Sequence, residues 1–510
     1  MTTRENFLPL SGDNKAAPDQ KGASSSHHSP GTAWSRPVEE VNQFGAASAE
    51  ALLVGPADRY SVGDLLIPHV ITRLLNLSRL RCAGLVSSDF TEVGGHVVRN
   101  YGEAAIEMGG NNLKLIHAGG ETLAVSLISG YSAAVADEEA DRFSSLVRIG
   151  EQSVMKQYVQ RRSGQLENFA YVLPSEGQFH GADACFHAVG LSNPESLSEE
   201  MRVRLLEVLR NAGFVGIRDK NGADYLERQG INVERMPCGL TVLPQVCEQR
   251  LEAHSNTAAM KAVRKKFRKG WIAVEVGRVA ESDRQRLAKG LSEVARKEKL
   301  GIVLFDGVGS ANSESLDFQK QWLLEFPDGK AVFFDSRNIW EVSSLIIQSR
   351  LFCGSSLNCR SIAMSSAVPR INVPSGTEVT ASYCAQWEYH GVPVELDYEG
   401  DWSEQIGDAL KVDLAALKRH TNDLHEAYFS AFTRMCRVME LSAKLLPSRA
   451  RTDHPRLAGL AKQVAGDWFS DAKAMTLFRR LNRKKGQRNA KSSPSAATKS
   501  EKTDRDKVVS

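Results

Sequence analysis

The chain has 510 residues, 42% of them hydrophobic and 25% charged, with a formal net charge of +3. That length accommodates two or three domains, and the composition is that of an ordinary globular protein. A net charge so close to zero argues against an overall affinity for nucleic acid. The eight cysteines are scattered and include no CxxC pair. Neither a zinc ribbon nor a disulfide framework is therefore expected, and no metal site is assigned. No apolar run is long enough to span a bilayer, and no cleavable leader is evident. The expectation is a cytoplasmic protein whose membrane contact, if it has any, is peripheral at the inner face.

Residues 1–45 are rich in Ser, Gly, Pro, Asn and Asp and read as a disordered lead. A first α/β domain is expected over 46–249. Its helix at 65–77 is opened by Gly63-Asp64. Strands follow at 80–86, 113–117, 169–173 and 184–191, then a helix at 198–212 and a strand at 214–218. A helix at 221–229 closes on Gly230, a favourable C-cap residue. Residues 250–270 read as a charged helical connection carrying Arg264, Lys265, Lys266, Arg268 and Lys269.

A second α/β domain, with closing helices, is expected over 271–446. It begins with a strand at 271–276 and a helix at 282–298, and continues with strands at 301–305 and 331–334. A helix at 340–350 leads to a short strand at 351–353, a Gly/Ser turn and a small-residue helix. A strand at 370–373 and helices at 403–410 and 414–446 complete it. Residues 447–510 add a helical piece at 458–481 and a basic end with Arg479, Arg480, Arg483, Lys484, Lys485, Arg488 and Lys491. That end has no interleaved aromatic residues past Phe478, so a solvated tail is favoured over a specific nucleic-acid contact. Strands alternating with helices imply parallel sheets. Two successive units of similar size predict two Rossmann-like domains facing across a cleft, with ligands beyond the carboxyl ends of the strands.

Four short stretches carry candidate chemistry. In Ser61-Val62-Gly63-Asp64, the glycine permits a tight turn and the aspartate can cap a helix. In His117-Ala118-Gly119-Gly120, paired glycines after a strand admit close approach of a ligand to the backbone. In Gly216-Ile217-Arg218-Asp219, a guanidinium at a strand end can clamp a carboxylate or phosphate with two hydrogen bonds. In Gly354-Ser355-Ser356-Leu357-Asn358-Cys359-Arg360, free N–H groups and hydroxyls at a helix start suit an anion, with Arg360 one turn further on. Each also has a plain structural reading, as a cap, a turn or a surface ion pair.

In order and spacing, the four stretches resemble the polysaccharide pyruvyl transferase family across about residues 55–445. The Gly-Ser-Ser-Leu-Asn turn is similar to that family's Gly-Ser/Thr-Ser-Leu-His turn, and Gly-Ile-Arg-Asp to its Val-Arg-Asp. The resemblance implies two Rossmann-like domains, similar to the B-type glycosyltransferase architecture. It also implies transfer of the pyruvyl group of phosphoenolpyruvate, the donor substrate in place of any cofactor, to a sugar hydroxyl in surface-polysaccharide synthesis. The partners implied are that small-molecule donor and a saccharide acceptor, free or lipid-linked. Arg218 then falls at a donor anion clamp, and Ser355, Ser356 and Arg360 at a second anion site. Gly63, Asp64, Gly119 and Gly120 fall on the opposite wall. Asn358 takes the place of the family's acid/base histidine, and an amide cannot exchange a proton near neutral pH. His117, His180, His187, Asp306 and Glu341 are candidates to replace it. Two other readings stay open: a nucleotide-sugar-dependent glycosyltransferase, and a binding or scaffold protein whose catalysis is impaired.

Overall fold

The computed structural model describes residues 49–444 apart from 109–111, 136–138, 141, 144, 146–149, 276–278, 280, 310–319 and 327–329. The expected lead at 1–45, the helical piece at 458–481 and the basic end all lie outside the described residues.

The first sheet has eight strands: β1 (Glu50–Val54), β2 (Arg79–Gly84), β3 (Ser88–Asp89), β4 (Val97–Asn100), β5 (Leu113–Ala118), β6 (Asp183–Val189), β7 (Phe214–Ile217) and β8 (Glu234–Arg235). Their order is β3-β4-β2-β1-β5-β6-β7-β8. Only β3 runs antiparallel, against β4. The second sheet has β9 (Trp271–Glu275), β10 (Gly301–Phe305), β11 (Ala331–Phe334), β12 (Leu351–Gly354) and β13 (Arg370–Asn372). Its order is β11-β10-β9-β12-β13, parallel throughout.

Both sheets are wound in the same way. From the first strand the chain moves outward on one side, then returns to build the other. The order reverses between β1 and β5 in one sheet and between β9 and β12 in the other, and crevices form at such points. The expected α/β class with two Rossmann-like halves, in a B-type glycosyltransferase-like arrangement, is what this topology shows. The central strands are buried along their whole length rather than alternating, and Lys114 and His117 of β5 and Glu275 of β9 are buried with their apolar neighbours. All six residues of β5 and all five of β9 and β10 are buried.

Two local expectations change. The apolar run at 169–173 forms no strand and makes only an isolated bridge, from Phe169 to Ser126. It is nevertheless buried, and the Tyr171 hydroxyl donates to Asp58 Oδ1 at 2.9 Å. β1, which the sequence reading did not single out, is a central strand pairing with β2 and β5.

The long helix Leu414–Val438 follows the second sheet in the chain but packs beside the first. Tyr428 reaches His187 (Oη to Nε2, 2.9 Å), and Arg434 pairs with Glu234 of β8. All eight cysteines are buried free thiols. Among the described residues, no helix is long and apolar enough to cross a membrane.

Candidate functional site at the facing carboxyl ends of the two sheets

The wall of the first sheet begins after β1. Ser61 caps the helix Val62–Leu74, its hydroxyl accepting from Asp64 N at 3.4 Å. Asp64 is thereby fixed in the first turn, buried, with Arg59 Nη2 4.0 Å from its carboxylate. Gly119 takes a φ of +103°, a conformation that favours glycine. It turns the chain after β5 so that Gly120 lies beside Asp64.

The opposing wall comes from the second sheet. Asn358, in the first turn of the helix Leu357–Met364, donates from Nδ2 to Asp64 Oδ1 at 3.1 Å. The two helix starts are so close that a β-carbon on Gly63 would collide with Asn358. Two more contacts join the walls. Val62 N donates to Gly307 O at 3.1 Å, and the Tyr60 hydroxyl donates to Arg337 O at 3.0 Å under the Arg337 guanidinium. Asp306, buried at the end of β10, lies 4.0 Å from Arg337 Nε. The structure thus brings Gly63, Asp64, Gly119, Gly120 and Asn358 together, and adds Asp306.

Arg218 directly follows β7 and is 2% exposed. Its Nη2 donates to Glu121 Oε1 at 3.1 Å. Glu121 directly follows Gly120 and is itself held by Ser192, whose N and Oγ donate to Oε2 at 2.8 and 2.7 Å. Burial opposes the charge of Arg218, but the Glu121 carboxylate overrides it and keeps the guanidinium protonated. Among the described residues, Nε and Nη1 of Arg218 have no hydrogen-bond partner. Buried donors are normally paired, so this half-used fork is the feature of the site that most calls for an anionic ligand. The neighbouring Asp219 caps the helix Lys220–Arg228 and accepts from Leu191 N and Gly222 N, both at 2.8 Å. Burial and the nearby Glu121 charge raise its carboxyl to about 6.

The Gly/Ser turn differs from expectation. Its N–H groups are not open to an incoming anion. Glu275, at the end of β9, places Oε2 at 2.9 Å from Ser355 N, 3.1 Å from Ser355 Oγ and 3.1 Å from Ser356 N. An internal carboxylate occupies the position expected for a donor phosphate. Ser356 meanwhile caps the helix through Cys359 N at 3.3 Å.

Arg360 is also corrected. It is wholly buried and turned away from that carboxylate, bonding Glu388 Oε2 at 2.7 Å, Asn372 Oδ1 at 2.8 Å and the carbonyls of Pro393 and Val394. Arg370 grips the same glutamate. Burial alone would raise the Glu388 carboxyl, but the two guanidinium groups hold it down at about 2. This triad fastens the second domain internally and leaves Arg360 no free donor for a ligand.

Among the candidate proton carriers, His117 is buried, with Nδ1 3.1 Å from Cys185 O and Nε2 accepting from Leu173 N at 3.0 Å. Burial lowers its pKa to about 4, so it is neutral and both nitrogens are engaged. His187, likewise lowered by burial to about 4, faces Tyr428 in the core. Asp306 lies on the second-sheet wall beside Arg337, whose carbonyl accepts from Tyr60 of the first wall. Among the described residues, no group of three or more His, Cys, Asp or Glu is placed to hold a metal ion.

Neither a family model nor a curated protein matches the chain. Solved structures do. A putative UDP-N-acetylglucosamine 2-epimerase from Listeria monocytogenes is 12% identical, with 78% of this chain and 96% of that one covered and a TM-score of 0.45. An α,α-trehalose 6-phosphate synthase from Burkholderia multivorans is 11% identical, with 77% and 98% covered and a TM-score of 0.42. The UDP-GlcNAc 2-epimerase of Methanocaldococcus jannaschii, solved with UDP-GlcNAc and UDP, is 10% identical, with 74% and 99% covered and a TM-score of 0.39.

Proposed function

We propose that the protein is a nucleotide-sugar-dependent transferase of the B-type architecture rather than a pyruvyl transferase. The observation that carries this reading is the Asn358–Asp64 pair, Nδ2 to Oδ1 at 3.1 Å, at the meeting of the two walls. Pyruvyl transfer requires an acid that protonates the methylene carbon of the donor, and an amide has no such proton to give. Glycosyl transfer requires no acid at carbon. It requires a base for the acceptor hydroxyl and a stabilised leaving diphosphate. Asp64 has the chemistry of the base, and Asn358 orients it. Arg218, with two unused N–H groups, has the chemistry to hold an anionic group of the donor. The carboxylate of Glu275 supports the same choice, since it already satisfies the Ser355–Ser356 turn that would have gripped the small, highly charged phosphoenolpyruvate. The order of the four motifs along the chain remains the support for the pyruvyl reading.

The test is a thermal unfolding and calorimetric screen of the full chain against UDP, GDP and dTDP sugars, with phosphoenolpyruvate in parallel. A ligand at a hundredfold excess over its Kd stabilises by about 2.7 kcal/mol, a readable rise of several degrees. One nucleotide family should give that rise, and Arg218→Ala should reduce it. Asp64→Asn should bind the donor yet lose turnover by about 10²–10⁴. A response to phosphoenolpyruvate alone overturns the proposal. Silence toward every donor replaces it with the scaffold reading.

A further inference from the structure

A second recess, of about 560 Å³, lies on the first domain between the helices Glu199–Asn211 and Lys220–Arg228, and its lining includes none of the cleft residues described above. Three arginines line it: Arg202, Arg210 and Arg228. Among the described residues, neither Arg210 nor Arg228 is paired with a carboxylate, and Arg228 spends only Nε, on Asp224 O at 3.1 Å. Arg202 reaches Glu199 at 3.1 Å and Leu197 O at 3.2 Å, and among the described residues its buried Nε has no partner. Beside these groups sits Tyr225, 6% exposed, whose hydroxyl is also buried and without a partner. The charged groups around that phenol are Arg202, Glu195, Glu199 and Arg228. Tyr225 stands six residues beyond Asp219 on its helix, about 9 Å along the axis from the Arg218 end.

We propose that this recess binds a phosphorylated sugar or polyol, independently of the cleft. Two arginines without a carboxylate partner and a third with a spare donor match a phosphate, which can take several charge-assisted hydrogen bonds. The Tyr225 hydroxyl supplies one more donor once Arg202 swings toward the ligand. Glu195 and Glu199, acceptors at the same recess, match hydroxyl groups and not a second phosphate. The mixed lining therefore selects a ligand with one anionic end and one hydroxylated end. A bare phosphate fills only half of it.

The experiment is calorimetric titration of the full chain at low salt with ribose 5-phosphate and, separately, inorganic phosphate. Saturable binding of the sugar phosphate is expected, at least about tenfold tighter than phosphate, the scale of one or two added hydrogen bonds. The double variant Arg210→Ala/Arg228→Ala should weaken it by at least about tenfold. Tyr225→Phe removes only an unpartnered hydroxyl, so the fold is kept and the affinity drops a fewfold. Arg218→Ala should leave this binding unchanged, which separates it from ligand entry into the cleft. The proposal is overturned by the absence of saturation at millimolar ligand, by equal affinity for phosphate and sugar phosphate, by undiminished binding in the double variant, or by loss of binding in Arg218→Ala.

Discussion

Glu275 decides the character of the second-sheet wall. Three donors from Ser355 and Ser356 converge on one of its oxygens, so the turn is an anion site that carries its own anion. Removing that carboxylate should expose the latent site. In Glu275→Ala the two buried donors of Ser355 and the half-buried Ser356 N–H lose their acceptor, at a cost of about 1–3 kcal/mol for a buried group left unsatisfied. The variant should therefore unfold at lower denaturant than wild type. Inorganic phosphate should then recover part of that loss in the variant while leaving the wild type unmoved. If phosphate shifts both midpoints equally, the turn is not the binding element. The sequence had marked the turn but not its occupant. The available signal was a glutamate ending the otherwise apolar strand Trp271–Glu275. Glu121, next to Gly119-Gly120, carried a similar signal. Neither is decisive in one dimension, because a strand-end carboxylate faces solvent as readily as a neighbouring loop. Arg360 shows the converse. Its spacing from Ser356 was legible, but its partner Glu388 lies 28 residues away in the chain, joined only by the fold.

At the scale of elements, the cleft depends on how closely the helices Val62–Leu74 and Leu357–Met364 approach, and Gly63 permits that approach. Its φ is not positive, so the backbone accepts alanine, and in a helix alanine is favoured over glycine by about 1 kcal/mol. Any destabilisation by Gly63→Ala is therefore a packing effect. The added β-carbon would overlap Asn358, and overpacking of this kind costs about 1–3 kcal/mol. Asn358→Gly removes the opposing side chain and should relieve it. The double variant is expected to be more stable than the sum of the single changes predicts, with a coupling of about 1 kcal/mol or more by denaturant unfolding. Additive effects would show that the two helix starts do not touch in solution. Helix positions were readable from periodicity and caps, as with the helix Glu199–Asn211 behind Ser198 and the helix Lys220–Arg228 before Gly230. Strand membership was less readable. Residues 169–173 and the strand Glu50–Val54 are both short apolar runs buried in the fold, yet only the second enters a ladder. Burial makes a run apolar, whereas pairing depends on which neighbours the chain topology supplies.

For the molecule as a whole, the histidines set the response to acid. Burial lowers His69 to about 3 and His96, His117, His187 and His425 to about 4. The unfolded chain protonates these five near pH 6.5 while the folded chain keeps them neutral, so their contribution is complete above that pH and is lost as pH falls toward 4. Two buried carboxyls act in the opposite sense. Asp58, raised by burial, and Asp219, raised by burial and by Glu121, both stand at about 6. They take up protons in the folded state first, which favours folding between pH 6 and about 4. Five histidines outnumber the two carboxyls, so near pH 5 the unfolded chain binds more protons than the folded one and stability falls with pH. Below about pH 4.5 the Glu388 carboxyl, held at about 2, adds to the loss as its counterpart in the unfolded chain protonates. His69 and His96 sit where first-domain residues meet Trp340 of the second, with ring centroids at 3.9 Å from each other and His69 4.8 Å from the indole. Protonating them would place like charges against each other and beside Arg250, which adds to the burial that keeps both neutral in the fold. The melting temperature should fall steeply from pH 7 to pH 5 and His69→Gln should flatten that fall, whereas an unchanged melting temperature across that interval would show that these histidines are not buried neutral.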